Sequence, residues 1–265
     1  TPLSQHEILS LYGLTASSRN SLPASCRFYN HRWDLPETLL QIGELARDEI
    51  EDISGGLLSD SVAVAVNRKI YDYDQIIMLG PVFPHEVVGF SGGAKYIFPG
   101  ISGGAFLHFF HWLGAVITCA KTIGIKHTPV RRAIDRAMEM IEVPVHCLAM
   151  VVSPDNSLCG LYAGDVRGAW SRAADLSAHI HIVTKDRPFR IVLGRSPEMY
   201  DEIWTAGKVM YKLEQVVADG GRLIIYGPHI SEVSRTWGRD LDAIGYHVRD
   251  YFLADMPRFE EIPLG

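Results

Sequence analysis

Short apolar runs and longer amphipathic stretches alternate along most of this chain. Ser61 to Val66 is a Val and Ala run, and Gln75 to Leu79 is a second apolar run that stops at Gly80-Pro81. The pattern predicts two buried strands around a turn near Tyr71 to Asp74. Gly104 to Ile123 has helical length and composition, and Thr128-Pro129 opens a second helix over Val130 to Ile141, with proline in its first turn. Val143 to Val152 reads as another strand and Gly164 to Ala178 as an Ala-rich helix.

The polar turn Asp186-Arg187-Pro188 marks a domain boundary. Beyond it come a strand (Phe189 to Leu193), a helix (Met199 to Ala218), a Gly220-Gly221 turn, a strand (Arg222 to Tyr226) and a helix from Ser231 to Ile244. Alternating strands and helices imply parallel pairing with right-handed crossovers. The expected architecture is α/β in two domains. Residues 1–186 form a catalytic domain with a mixed or parallel sheet, and residues 187–265 form a Rossmann-like domain. The second domain has no GxGxxG, so dinucleotide binding is not implied.

At 265 residues and 47% hydrophobic content the chain can bury one large core or two smaller ones. A net charge of -6 offers no general attraction to nucleic acid or an anionic membrane. Cys26, Cys119, Cys147 and Cys159 form no CxxC pair, which fits a reducing cytoplasm better than a disulfide framework or a zinc knuckle. No stretch reaches the ~18 uninterrupted apolar residues of a membrane span. Acidic pairs such as Glu51-Asp52 and Glu260-Glu261 read as solvated faces. Thr1-Pro2 and Ile262 to Gly265 resemble cuts through ordinary domain sequence, so the expectation is the middle of a longer protein.

The densest chemistry lies in Pro84-His85-Glu86-Val87-Val88-Gly89-Phe90-Ser91-Gly92-Gly93-Ala94-Lys95-Tyr96-Ile97-Phe98-Pro99-Gly100. Four glycines in 12 residues are entropically unfavourable, so the loop needs φ > 0 or close backbone approach to something bulky, and a bound cofactor is expected there. The preceding strand delivers the loop at its carboxyl end, where α/β sheets place ligands. A Walker A loop requires Gly before the Lys and Ser or Thr after it, and here Ala94 and Tyr96 stand in those places. Ser91 lacks the GxSxG elbow of a hydrolase. His111, among aromatics and three residues from His108 on one helix face, reads either as a metal ligand or as a satisfied core histidine. The loop itself reads either as a binding site or as a connection with Lys95 solvated.

Taken together, Pro-His, then Gly-Phe-Ser-Gly-Gly, a Lys ten residues after the His, Pro-Gly beyond it, and a second His sixteen residues after the Lys resemble the nickel-dependent lactate racemase family. Val66-Asn67-Arg68, Phe110-His111-Trp112-Leu113-Gly114 and Trp204-Thr205-Ala206-Gly207-Lys208 extend the resemblance over most of the chain. It implies a racemase or epimerase of a 2-hydroxy acid that uses a nickel-pincer pyridinium mononucleotide. Lys95 is the implied covalent tether, Ser91, Gly92 and Gly93 the implied cradle, His111 the nickel ligand and His85 one of two general bases. The implied reaction passes the α-hydrogen as hydride to the cofactor while a histidine handles the hydroxyl proton, which avoids a carbanion.

The resemblance also places a partner histidine, in a Gly-x-His-Arg turn, and a phosphate-holding Asp/Arg element upstream of the segment matching Thr1. Lys208 is the implied carboxylate partner. Trp204 and Thr205 replace the Tyr-Gln of lactate-acting members, which leaves another 2-hydroxy acid open as substrate; helix packing is the alternative role for Trp204. Two other functions stay open: a phosphate- or nucleotide-binding transferase using the same loop, and a non-catalytic ligand-binding remnant.

Overall fold

The computed structural model describes residues 2–23, 25–259 and 261–262; expectations involving Thr1, Glu260 and 263–265 lie outside them. The chain opens with two short helices, α1 (Gln5–Leu11) and α2 (Ala16–Arg19), each closed at its N-terminus by a hydroxyl capping box, at Ser4 and Thr15. Strand β1 (Leu39–Leu45) and helix α3 (Arg47–Ser54) follow, neither of them expected from the sequence. β1 pairs antiparallel with β2 (Val62–Asn67), the first predicted strand. Asn67, in the Val-Asn-Arg motif, is structural. Its side chain bonds His31 Nδ1 at 3.0 Å and accepts from Lys69 N–H at 3.1 Å, while His31 Nε2 lies 3.0 Å from the Ser102 carbonyl.

β3 (Ile76–Pro81) leads into a short hairpin of two-residue strands, β4 (Pro84–His85) and β5 (Gly89–Phe90), which sets His85 opposite Gly89. α4 (Gly104–Ile117) buries Phe106, Phe109, Phe110, Leu113, Val116 and Ile117, too many for a single stripe, and so runs through the core. It stops short of the predicted Ile123 because Thr118 takes φ 80 and turns the chain. α5 (Pro129–Met138) begins as expected: Thr128 accepts from Arg131 N–H at 3.0 Å and proline occupies the first turn.

β6 (Val145–Val152) alternates buried and half-buried positions and pairs parallel with β3. On its other side it pairs antiparallel with β7 (Leu158–Asp165), so the sheet is mixed. β7 and the start of α6 (Val166–His181) correct the expected helix from Gly164: Asp165 is the N-cap, accepting from Gly168 N–H at 2.8 Å. The main buried cluster draws on residues from Leu45 to Ala174.

After α6, β8 (Phe189–Arg195) pairs parallel with β9 (Val217–Tyr226) across α7 (Ile203–Leu213). Gly220-Gly221 lies inside β9, in the stretch where the register slips, rather than between elements. The helix expected from Ser231 starts only at α8 (Gly238–Ile244), followed by α9 (Arg249–Leu253). The preceding backbone is used elsewhere: Glu232 and Val233 carbonyls accept from Ile203 and Trp204 N–H at the start of α7. Among the described residues no helix is long and apolar enough to cross a membrane.

Candidate functional site

The glycine-rich loop is shaped by the protein's own atoms. Gly89, Gly92 and Gly93 have φ of 91°, 77° and 59°, as the sequence predicted. Part of the bulk that these glycines accommodate is the protein's own: a Cβ on Gly93 would lie 2.9 Å from Trp170, and one on Gly89 would strike the Ile125 carbonyl. Arg131, 2% exposed, lies with its guanidinium 4.0 Å from the Trp170 ring centroid and donates to the Phe90 and Gly92 carbonyls. Ser91 is held in the loop by Phe83, whose N–H donates to Ser91 Oγ at 2.9 Å, and its carbonyl accepts from Trp170 Nε1 at 2.9 Å.

This scaffold presents His85 and Glu86. Thr122 Oγ1 donates to the Glu86 carbonyl and Thr128 Oγ1 to that of Val88 at 3.1 Å, which fixes the strip between the two short strands. The Glu86 carboxylate, 9% exposed, forms an ion pair with Lys208 of α7, 122 residues away, and lies 3.9 Å from His85 Nδ1. The Val87 N–H donates to His85 Nδ1 at 3.1 Å. An N–H donor there makes Nδ1 an acceptor, so the neutral ring carries its proton on Nε2. Burial lowers the His85 pKa, and Lys95 adds to the effect, so the ring is neutral near pH 7. Burial alone would raise the Glu86 pKa, but the hydrogen bond and charge of Lys208 hold it below the ordinary carboxylate value and keep the carboxyl ionised.

Lys95 stands in the 3₁₀ turn Gly93–Tyr96, its Nζ 5.4 Å from the Phe110 ring centroid. Burial, with the charges of Lys208 and Arg131, pulls its pKa to about 8, so a nucleophilic amine is available near neutrality. His111 bonds the carbonyl of Leu107, one helix turn earlier, through Nδ1 at 3.0 Å. Nδ1–H is therefore the donor, and Nε2 keeps a free lone pair, the arrangement of a histidine metal ligand. His108, on the same face, has a buried Nδ1 with no partner.

Among the described residues no three His, Cys, Asp or Glu side chains are grouped to hold a metal. A single imidazole beside a buried amine fits a metal whose other donors come from a group attached to the protein, and it does not fit an all-protein metal cage. Trp204 is 45% exposed, so it is not core packing of α7, and Thr205 Oγ1 donates to the Glu202 carbonyl at 3.1 Å. A cavity of about 300 Å³ lies around Arg131, Asp135, Arg167 and Trp170, apart from His85, His111 and Lys208.

Sequence reasoning did not find Glu86, Arg131 or Trp170. Glu86 carried one signal, its adjacency to His85. Arg131 and Trp170 carried none, because their roles arise from contacts with the loop 39 to 79 residues away.

Residues 14–123 match the family described as the lactate racemase N-terminal domain. A crystal structure of a protein from Thermotoga maritima is similar over 100% of this chain and 65% of its own, at 31% identity and a TM-score of 0.84. The lactate racemase apoprotein from Thermoanaerobacterium thermosaccharolyticum is similar in fold over 85% of this chain and 50% of its own, at 22% identity and a TM-score of 0.68. No curated protein matches the sequence. The chain thus spans less than two thirds of the length of either solved relative. Residues 14–123 thus carry a match to the lactate racemase N-terminal domain, the family that the sequence motifs resemble.

Proposed function

We propose that the protein is a racemase or epimerase of a small 2-hydroxy acid, working at the junction of domains 1–186 and 187–265, the second of them Rossmann-like. The observation that carries this reading is the ion pair that brings Lys208, from α7, to Glu86, the neighbour of His85, and within electrostatic reach of Lys95. A carboxylate-binding cation, a proton-transfer ring and an amine of lowered basicity then share one locus.

Lys208 binds the substrate carboxylate, and the half-exposed Trp204 with Thr205 borders the substrate's side chain. His85 takes or returns the hydroxyl proton at Nε2, which makes no hydrogen bond among the described residues. That role requires the ring's other proton on Nδ1. Lys95 is the attachment point and His111, through Nε2, the protein ligand for a nickel-pincer nucleotide, cradled by Ser91, Gly92 and Gly93. That group, when bound, supplies the acceptor that removes the substrate's α-hydrogen with its electron pair and returns it.

The test uses full-length protein made in cells that build the cofactor, assayed for D and L interconversion of lactate and larger 2-hydroxy acids, with intact mass and nickel content. The expected result is racemisation, a mass adduct and about one nickel, with adduct and metal lost in Lys95→Ala and metal lost in His111→Ala. Adduct retained in Lys95→Ala would overturn the tether. Magnesium-dependent nucleotide consumption would favour the transferase, and ligand binding without turnover the non-catalytic remnant.

A further inference from the structure

Glu86 has no place in the reading above, yet it is the best-buried carboxylate near His85 and touches two of the proposed working groups. Its side chain is 9% exposed, against 17% for His85 and 35% for Lys208. The arrangement as it stands is unsuited to proton transfer at Nε2. With Val87 N–H donating to Nδ1, neutral His85 holds its proton on Nε2 and cannot accept another there. Acting as base at Nε2 requires the Nδ1–H tautomer, and acting as acid from the imidazolium also requires Nδ1–H. Both half-reactions therefore need an acceptor at Nδ1, and the carboxylate 3.9 Å away is the one acceptor among the charged groups around the ring. The others, Lys95, Lys208 and His111, are cations or a second imidazole.

Glu86 is occupied by Lys208, the residue expected to receive a ligand's carboxylate. A ligand that takes Lys208 leaves Glu86 ionised, nearly buried and short of a donor. A buried charge without a partner is strongly unfavourable, so the carboxylate must find another donor or take up a proton. The nearest is Nδ1–H of the alternative His85 tautomer.

We propose that Glu86 changes partner when a carboxylate ligand takes Lys208, moving from the lysine to His85 Nδ1–H and thereby setting His85 in the form able to accept a proton at Nε2. Glu86 is then a positioning residue that couples ligand binding to the tautomer. The change balances without a co-reactant: water removes the proton from Nε2 and supplies one to Nδ1, the Val87 N–H gives up its hydrogen bond to Nδ1, and the ring stays neutral. The Oε2 to Nδ1 distance closes by about 1 Å to that of a charge-assisted hydrogen bond. Identifying the trigger as a 2-hydroxy acid rests on the function proposed above, while the exchange rests on the geometry alone.

The experiment reads the His85 tautomer by 15N NMR of histidine-labelled, cofactor-free full-length protein near pH 7.5. Wild type is expected to show Nε2–H. Lys208→Met, which frees Glu86 with no ligand present, should move His85 to mainly Nδ1–H, and adding Glu86→Gln should restore Nε2–H. If Lys208→Met does not fold, Lys208→Gln should shift the population in the same direction and less far. An unchanged Nε2–H signal in whichever folded Lys208 variant is measured overturns the proposal. Saturating sodium lactate should move wild type as Lys208→Met does and leave Glu86→Gln unmoved. If the lysine variant shifts the ring and neither lactate nor the larger 2-hydroxy acids do, the exchange stands and the 2-hydroxy-acid reading fails. In the loaded enzyme, Glu86→Gln should lower kcat on the order of 10²-fold without raising KM, because the substrate no longer competes for Lys208. A rise in KM at unchanged kcat would mean that Glu86 merely shapes the pocket.

Discussion

Lys208 and Glu86, 122 residues apart, form the ion pair that ties α7 to the strip carrying His85. The partners differ in burial, and this makes their removal unequal. Lys208→Met strands a carboxylate that is 9% exposed, whereas Glu86→Gln leaves a lysine 35% exposed and free to turn to water. A fully buried pair loses ~3–5 kcal/mol when broken from one side; the wet lysine and the nearby His85 reduce that here. We expect Lys208→Met to be less stable than Glu86→Gln by about 1–2 kcal/mol in urea unfolding at pH 7. Equal losses would mean that the carboxylate is well solvated.

Lys95 should be the most reactive lysine of the cofactor-free protein. Its pKa of about 8 lies below the ordinary 10.5, so acylation followed by peptide mass spectrometry should show its rate rising with a midpoint near pH 8. Between pH 8 and 10.5 the unfolded chain holds a proton that the folded one has lost, so this group adds stability as pH rises through the window and loses it as pH falls through 8. A midpoint shared with surface lysines would show that the side chain is not held against Phe110.

Gly93 and Gly55 separate crowding from conformation. Both have positive φ, 59° and 67°, but a Cβ on Gly93 meets Trp170 at 2.9 Å, while one on Gly55 meets nothing within 4 Å. Gly55→Ala should cost about 1 kcal/mol for the left-handed backbone alone. Gly93→Ala should cost about 2–4 kcal/mol and shift Trp170 fluorescence. Equal penalties in chemical denaturation would exclude tight packing of the loop on the indole.

Arg131→Met should loosen the loop as a unit. It removes the donors to the Phe90 and Gly92 carbonyls and the stacking on Trp170 in a 2% exposed site. Stability should fall by about 2–4 kcal/mol, and amide exchange at Ser91 and Lys95 should speed up while that in β6 changes only with global stability. Unchanged exchange in the loop would mean that the glycine conformations alone hold it.

Much of the framework is local and was legible. Thr128-Pro129 starts a helix because a hydroxyl cap and a fixed φ act within one turn, and β6 is a short run that is apolar except for His146. The errors occur where distant contacts override local preference. Residues 231–237 have helical composition, but their carbonyls satisfy the start of α7, and β7 replaces the opening of an expected helix because β6 offers an edge to pair with.

By itself, the sequence determined the mixed α/β class, the His-Lys-His spacing and the positive φ of the loop glycines, since each depends on residues close in the chain. Only the tertiary structure decided that those glycines make room for Trp170, that Arg131 lies beneath them, and that Glu86 separates His85 from Lys208. Such relationships come from burial and charge pairing across tens of residues. The fold alone selects which partners meet there, because a desolvated charge or an ordered ring is stabilised by whatever group packing brings within reach.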